Sequence, residues 1–536
     1  MAAGATVAPS ALALRGIVKS YGGRRILDGA DLELGARARV GLIGANGSGK
    51  STLLRIVSGA EDPDAGEVTL RKGAVVAHLP QLVSGDRRTV RETIRAARPD
   101  VSAVDEALAR CEARLADPAL AADLHRMARV LERQAELLER RQALGAGRLE
   151  GDAVRHLRDL GLGERALDRP TAELSGGQRK LVALAACLVR QPDILLLDEP
   201  EAHLDAGRRR ILEELIAGCE GAVLMVSHDR WLLDETVTAI AELEDGRLRM
   251  WSGSYSAYAV ARELELARRQ QQWVTQQKEI ARLQDAVRRF KDWANRVPNE
   301  RHIKQARVKQ RQIERLDNVQ RPVLERRSMG LHLRSAARGG ERVIELRGVD
   351  FDPVLIDVSL TIMRGERVGV VGPNGAGKTV LARLLAGELE PSDGERWAGP
   401  SIRFDHLTQT AAELPGDATP LDLVRAARPL GEGEAVALLI RFLFDYEQVR
   451  RPVGSMSGGE RTRLRCLLLM LSQANCLILD EPTNHLDIPA VEVLEGALEA
   501  FDGTIVAVSH DRYFLERIAD RVVEVRDGEV RETARA

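Results

Sequence analysis

Two lysines close nearly identical glycine-rich runs, Gly44-Ala-Asn46-Gly47-Ser-Gly49-Lys50-Ser51 and Gly372-Pro-Asn374-Gly375-Ala-Gly377-Lys378-Thr379. The first run follows the apolar stretch 40–43 and leads into a helical pattern that starts at Thr52. In that setting glycines let backbone N–H groups curl around phosphate oxygens at a helix N-terminus. Lys50 supplies a point charge to β- and γ-phosphates, and the Ser51 hydroxyl can ligate Mg²⁺; Lys378 and Thr379 repeat those roles. One such run could be a chance turn, but two in the same context point to a phosphate site.

Carboxylates stand where phosphoryl transfer needs them. Asp198 and Asp480 end the apolar runs 194–197 and 476–479, where each can help hold a Mg²⁺ shell. The adjacent Glu199 and Glu481 are candidates to polarise the attacking water. His228 and His510 follow the next apolar run, placed to contact a γ-phosphate, and their recurrence within Ser-His-Asp-Arg favours function over a lone structural histidine. Ser175-Gly176-Gly177 and Ser457-Gly458-Gly459 each open a further helix, again a ready anion site.

These elements repeat in register. Lys50 to Lys378 and Gln81 to Gln409 are each 328 residues apart, whereas Ser175 to Ser457, Asp198 to Asp480 and His228 to His510 are each 282. The first copy therefore carries 46 extra residues between Gln81 and Ser175. That segment is rich in Ala, Leu, Arg and Glu at helical spacing, which predicts an added helical arm at about 100–160. Short apolar runs followed by helical patterns predict an α/β fold with a parallel sheet covered by helices. The expected organisation is one unit over 10–250, a linker over 251–335 and a second unit over 340–532.

At 536 residues the chain should divide into domains, and its 44% hydrophobic and 29% charged residues are ordinary for a globular protein. The most apolar stretch, 466–479, is broken by Ser472, Gln473 and Asn475, so no membrane span is expected. The first ten residues lack a basic segment followed by an apolar one, so a cytoplasmic protein without a secretory signal is expected. Five cysteines show no Cys-x-x-Cys pair, which argues against zinc and disulfides.

Between the copies, 255–294 contains no Pro or Gly and carries Trp273, Ile280, Leu283, Val287 and Phe290 at helical intervals. As one helix it would span ~60 Å at 1.5 Å per residue. Pro298 breaks the pattern, and a second helix is predicted from about 301 towards 319, giving an antiparallel hairpin. Residues 261–330 hold 18 Lys and Arg against 9 Asp and Glu, a net of +9 in a chain of net −2. A basic spoke on an acidic body suits contact with nucleic-acid phosphate, with Arg296, Asn299, Arg301, His302 and Lys304 at the tip. The plainer reading is a solvated coiled coil that spaces two domains.

Together the motifs resemble the ATP-binding cassette (ABC) superfamily, in two full cassettes that cover almost the whole chain. The discriminating element is the signature Ser-Gly-Gly-Gln178/Glu460, since phosphate loops alone occur in many NTPases. The resemblance implies two P-loop NTPase ABC-type cassettes in tandem, joined by a long antiparallel helical hairpin and binding ATP and Mg²⁺. One ATP would lie between the Lys50 loop and Ser457-Gly458-Gly459, the other between the Lys378 loop and Ser175-Gly176-Gly177. Tyr21 fits the aromatic position against adenine; Phe351 is the weaker match, because the loop after it is two residues shorter. Gln81 and Gln409 match the glutamine that senses Mg²⁺ and the γ-phosphate, completing the metal sets Ser51, Gln81, Asp198 and Thr379, Gln409, Asp480.

Tandem cassettes without a membrane domain and with a charged helical linker are similar to the F subfamily (ABC-F), as is the form Glu481-Pro-Thr-Asn-His-Leu-Asp487. The first copy departs from it, with Glu201 and Ala202 where Thr and Asn are usual. Hydrolysis is expected at both sites, while their equality is left open. The resemblance implies an ATPase that binds the ribosome near the tRNA exit site, touching rRNA and tRNA through the basic linker 261–330. It would act on translation, with protection from antibiotics as one role. A monomer with an intramolecular cassette pair, no membrane and no DNA partner is expected. The alternative is the soluble ATPase of a transporter with separate membrane subunits.

Overall fold

The computed structural model describes residues 10–117, 123–145, 151, 154–155, 157–158, 161–202, 204–296, 304, 307–312, 341–408, 414–484 and 486–533, with the side chains of 206 and 290–296 left aside. The first unit opens with β1 (Ser10–Tyr21), β2 (Arg24–Gly35) and β3 (Arg39–Ile43), then α1 (Lys50–Val57), β4 (Ala65–Leu70) and β5 (Val76–Leu79). Helices α2 (Val90–Ala96), α3 (Pro99–Leu115), α4 (Leu124–Ala143) and α5 (Gly176–Val189) follow. The unit closes with β6 (Ile194–Asp198), α6 (Ala206–Ala217), β7 (Ala222–Val226), α7 (Arg230–Thr236), β8 (Ala239–Glu244) and β9 (Arg247–Ser252).

Its main sheet runs β5-β6-β7-β3-β8-β9, parallel except for the last pair. Each central strand is buried on both faces, which is why β6 reads as unbroken Ile-Leu-Leu-Leu. Its side chains part by alternation. Leu195 and Leu197 join a core with Leu181 and Leu184 of α5 and Leu212 of α6. Ile194 and Leu196 face Leu53 and Leu54 of α1 and Leu12, Leu14 and Leu32 of the hairpin β1–β2. That hairpin belongs to an antiparallel sheet, β2-β1-β4, which the expectation of parallel strands alone does not contain.

The second unit repeats the plan. It contains β10 (Arg342–Phe351), β11 (Leu355–Met363), β12 (Arg367–Val371) and β13 (Asp393–Ala398), then β14 (Phe404–Leu407) and β15 (Cys476–Asp480). Strands β16 (Thr504–Val508), β17 (Arg521–Arg526) and β18 (Glu529–Thr533) complete it, in sheets ordered β11-β10-β13 and β14-β15-β16-β12-β17-β18. The extra length of the first unit forms α3 and α4, which pack on each other through Val104, Leu108, Cys111 and Leu137, a core cluster of their own. Arg141 bonds Asp105 across the pair at 2.6 Å.

One helix of 42 residues, α8 (Tyr255–Arg296), leaves the first unit. Its root is fixed to both units. Ser256 binds Asp234 through its N–H at 2.7 Å, its hydroxyl lies 2.8 Å from the Tyr513 hydroxyl, and the Tyr255 hydroxyl donates to Glu492 at 3.3 Å. Of the expected return helix, residues 304 and 307–312 are described and are helical; the rest of it and the tip residues Asn299, Arg301 and His302 lie outside the described residues.

Candidate functional site

Both phosphate loops leave a central strand, β3 or β12, and enter a helix, α1 or α9 (Lys378–Ala386). Gly49 and Gly377 sit at φ +107° and +103°, and a Cβ at either would come within 2.7 Å of Ile26 or Val354. Only glycine fits there. The Lys50 ammonium donates to the carbonyls of Gly44 at 2.7 Å and Ala45 at 3.0 Å; Lys378 does the same to Gly372 and Pro373, both at 2.9 Å. Burial pushes both lysine pKa values down, opposed by Asp487, Glu199 and Asp198 around Lys50 and by Glu481, Asp205 and Asp480 around Lys378.

Strand β7 lies between β3 and β6, so the ends of these strands bring the Lys50 loop, His228 and the Asp198-Glu199 pair to one edge. Glu199 and Glu481 each adopt φ in the left-handed region, +48° and +51°, a strained turn for a side chain of this size. The turn is held by N–H bonds from Glu199 to Val226 O at 2.8 Å and from Glu481 to Val508 O at 2.9 Å. Asp198 Oδ1 and both Asp480 oxygens are buried without a hydrogen-bond partner. Burial raises both pKa values, while Ser51 beside Asp198 and Thr379 beside Asp480 draw them down. Orphaned carboxylate oxygens next to a hydroxyl make a hard-oxygen set of the kind Mg²⁺ takes. Bound there, Mg²⁺ would neutralise phosphate charge and fix the geometry of its oxygens.

His228 Nε2 stands 3.7 Å from Glu199 Oε1, and His510 Nε2 stands 3.5 Å from Glu481 Oε1. Burial, reinforced by Lys50, lowers the His228 pKa to about 4; burial, with Lys378 and Arg209, lowers that of His510 to about 3. Burial raises Glu481 to about 7 against the pull of Lys378. Both imidazoles are therefore neutral at neutral pH.

A stability prediction follows from the histidines. Each folded pKa lies below the unfolded one, so the stability each contributes is present above about pH 6.5 and is lost as pH falls towards 4, by ~3 kcal/mol per ring. In the nucleotide-free protein, His228→Gln/His510→Gln should gain on the parent as pH drops from 6.5 to 4.5. Melting temperatures across that range measure it, and a difference that does not change with pH contradicts it.

The two units meet through these sites. Asp487 accepts from the Asn46 N–H of the opposite phosphate loop at 2.8 Å, and Asp205 from the Asn374 N–H at 3.4 Å. Arg209 of the first unit donates to the His510 carbonyl at 3.1 Å. Behind this contact Arg230 forms a buried ion pair with Glu495, Trp231 meets Tyr513 edge-on at 6.1 Å, and Arg230 and Arg512 cover Tyr513 and Trp231 in turn.

Ser175 and Ser457 cap their own helices, α5 and 458–471, through boxes with Gln178 and Glu460 and remain exposed. Tyr21 is 43% exposed at the end of β1, its hydroxyl held by Glu61 and Arg55, whereas Phe351 is partly buried against the core of the second unit. Gln81 follows β5 and is exposed, while Gln409 lies outside the described residues.

Four residues enter the site to which the sequence assigned no role there, although Glu201 stood out as a departure from the usual motif. Asp205 and Asp487 could have been found, since they recur in the same motif at the 282-residue offset. Lys180 and Glu201 could not be found that way, because their counterparts, Thr462 and Thr483, are different residues.

Known proteins resemble the chain along nearly its whole length. A family model described as ABC transporter matches residues 27–202 and 355–484, and a second with the same description matches 241–333. The chain is 35% identical to ABC transporter F family member 5 of Arabidopsis thaliana, over 98% of this chain and 76% of that protein. It is 36% identical to the tylosin resistance ATP-binding protein TlrC of Streptomyces fradiae, over 97% and 98%. With the energy-dependent translational throttle protein EttA of Escherichia coli (strain K12) it shares 34% identity, over 94% and 90%. In fold it is similar to a solved complex of the archaeal ribosomal stalk protein aP1 with the ribosome recycling factor aABCE1, at TM-score 0.62 and 20% identity, covering 96% of this chain and 89% of that one.

Proposed function

Because the chain belongs to the ABC transporter family and to its F group, we propose that it is an ATPase that binds the ribosome and modulates translation in the cytoplasm. The observation that carries the reading is reciprocal contact within one chain. Asp487 reaches the Lys50 loop, Asp205 reaches the Lys378 loop, and α8 is rooted in both units. A nucleotide seated on either loop therefore bears directly on the opposite cassette.

In the first site Lys50 and the loop amides bind the phosphates, Ser51 and Asp198 would hold Mg²⁺, and Glu199 orients the water and takes its proton. His228 steadies the γ-phosphate end. Lys378, Thr379, Asp480, Glu481 and His510 do the same in the second. Tyr21 supports the adenine, and Gln81 and Gln409 are the residues that would sense Mg²⁺ and the γ-phosphate. Ser457-Gly458-Gly459 and Ser175-Gly176-Gly177 complete the Lys50 and Lys378 sites from across the contact.

Closure of the cassettes sets the angle of α8, and the basic segment 261–330 meets rRNA and tRNA near the tRNA exit site. Coupling of this kind needs two global states with different affinity for the ribosome. TlrC is named for tylosin resistance and EttA for a translational throttle; protection from a drug is the branch favoured for this chain. The transporter-engine reading finds less support, since such an ATPase has no need of the long basic segment 261–330.

Cosedimentation decides between them. Glu199→Gln/Glu481→Gln with ATP should pellet with ribosomes, and the parent with ADP should not. Failure to pellet in either state, with recovery of membrane proteins instead, would overturn the reading.

A further inference from the structure

The two cassettes hold their switch histidines by different means. In the second, the His510 N–H is accepted by the carboxylate of Glu481 itself, Oε2 at 3.4 Å. In the first, the His228 N–H goes to Glu201, Oε1 at 3.0 Å, which also accepts from the Ser227 hydroxyl at 2.7 Å. Glu201 is 6% exposed, and its other oxygen is buried without a hydrogen-bond partner. A bare buried carboxylate needs a cation nearby. Lys180, 3% exposed, makes no direct ion pair with it, but Glu201 is the largest of the carboxylate charges that offset the burial of that ammonium.

Lys180 also makes direct contacts at the site. Its ammonium donates to the backbone carbonyl of Glu199 and, at 3.4 Å, to that of Gln81. It therefore fixes the strained peptide of Glu199 and the segment that follows β5. At the matching positions the second cassette has Thr462, whose hydroxyl bonds the Gly458 carbonyl of its own helix at 3.0 Å, and Thr483.

We propose that Glu201 and Lys180 are a pair of positioning residues that makes the two sites unequal. Glu201 takes over the amide that would otherwise engage the catalytic carboxylate, and Lys180 anchors that carboxylate's backbone, so Glu199 is free to orient water while Glu481 is partly occupied. The first site then turns over faster than the second by roughly fivefold, the rate equivalent of one modest hydrogen bond. This deepens the ATPase reading above and rests on it.

Single-turnover hydrolysis separates the sites, with Glu481→Gln reporting the first and Glu199→Gln the second. Lys180→Thr/Glu201→Thr in the first background should lower kcat to within about twofold of the second site, with KM for ATP changed by less than about twofold, as expected for a group that acts only on the transition state. The graft Thr462→Lys/Thr483→Glu in the second background should raise kcat. Glu201→Gln keeps both acceptor bonds and should recover most of what Glu201→Ala loses, a comparison that decides the matter even if the double exchange unfolds. A purely structural role would lower melting temperature without moving kcat. Equal rates in the two backgrounds, or a folded swap that leaves kcat in place, overturn the proposal alone. No phosphate release in either background would sink the ATPase reading with it.

Discussion

Exchange of Glu199 and Glu481 together for glutamine is expected to lower steady-state ATP turnover by at least ~100-fold, the low end of what a positioned general base contributes. Glutamine keeps the size and one acceptor oxygen of the side chain but cannot take a proton. The strained turns at φ +48° and +51° are backbone features, held by Val226 O and Val508 O, and a glutamine can occupy them as glutamate does. The phosphate loops, whose ammonium groups sit on Gly44, Ala45, Gly372 and Pro373 carbonyls, are untouched. ATP affinity should therefore change by only a few-fold, and nucleotide should remain trapped between the cassettes. Phosphate release and nucleotide retention after rapid gel filtration measure the two halves of this expectation. Turnover within threefold of the parent would remove both glutamates from the mechanism.

The second large effect concerns the joint between the cassettes. Glu495 is fully buried and holds Arg230 by two bonds and Arg517 by a third at 3.0 Å. Glu495→Ala leaves the buried Arg230 guanidinium with the longer 3.5 Å contact to Asp511 as its remaining ion pair. Removing one partner of a buried pair costs ~3–5 kcal/mol, whereas replacing both by apolar groups is often neutral. The single variant should melt several degrees lower than the parent, and Arg230→Met/Glu495→Leu should recover much of the loss. A single variant that melts with the parent, or a double that is worse than the single, contradicts the assignment.

How much of this could be read from the chain depended on sequence distance. The phosphate loops, the strand-end carboxylates and the histidines were legible because each is a local motif in a strand–loop–helix setting, and because each occurs twice. The extra length was legible as a difference of offsets, and helices α3 and α4 lie between Gln81 and Ser175. The hairpin β1–β2 was not, since its alternation is broken by register shifts near Gly16, which lies at φ +61°. Contacts between the halves were also hidden. Asn46 and Asp487 are 441 residues apart, and nothing in their surroundings names the partner until the two sheets are packed. Glu201 was visible as a departure from the repeat, but its role beside Lys180 was not, because the second copy holds threonines at both places and offers no counterpart to read it from.

The root of α8 has a mechanical consequence. Ser256 and Tyr255 fasten the helix to Asp234 on one side and to Tyr513 and Glu492 on the other, so its first turn sits on the fulcrum between the cassettes. Forty-two residues of unbroken helix extend from that point, a lever arm of ~63 Å. A tilt of only ~5° at the fulcrum would carry the far end by ~5 Å, close to one helical pitch. Gearing of this kind converts a shift too small to rearrange either core into a displacement large enough to matter at a distant surface.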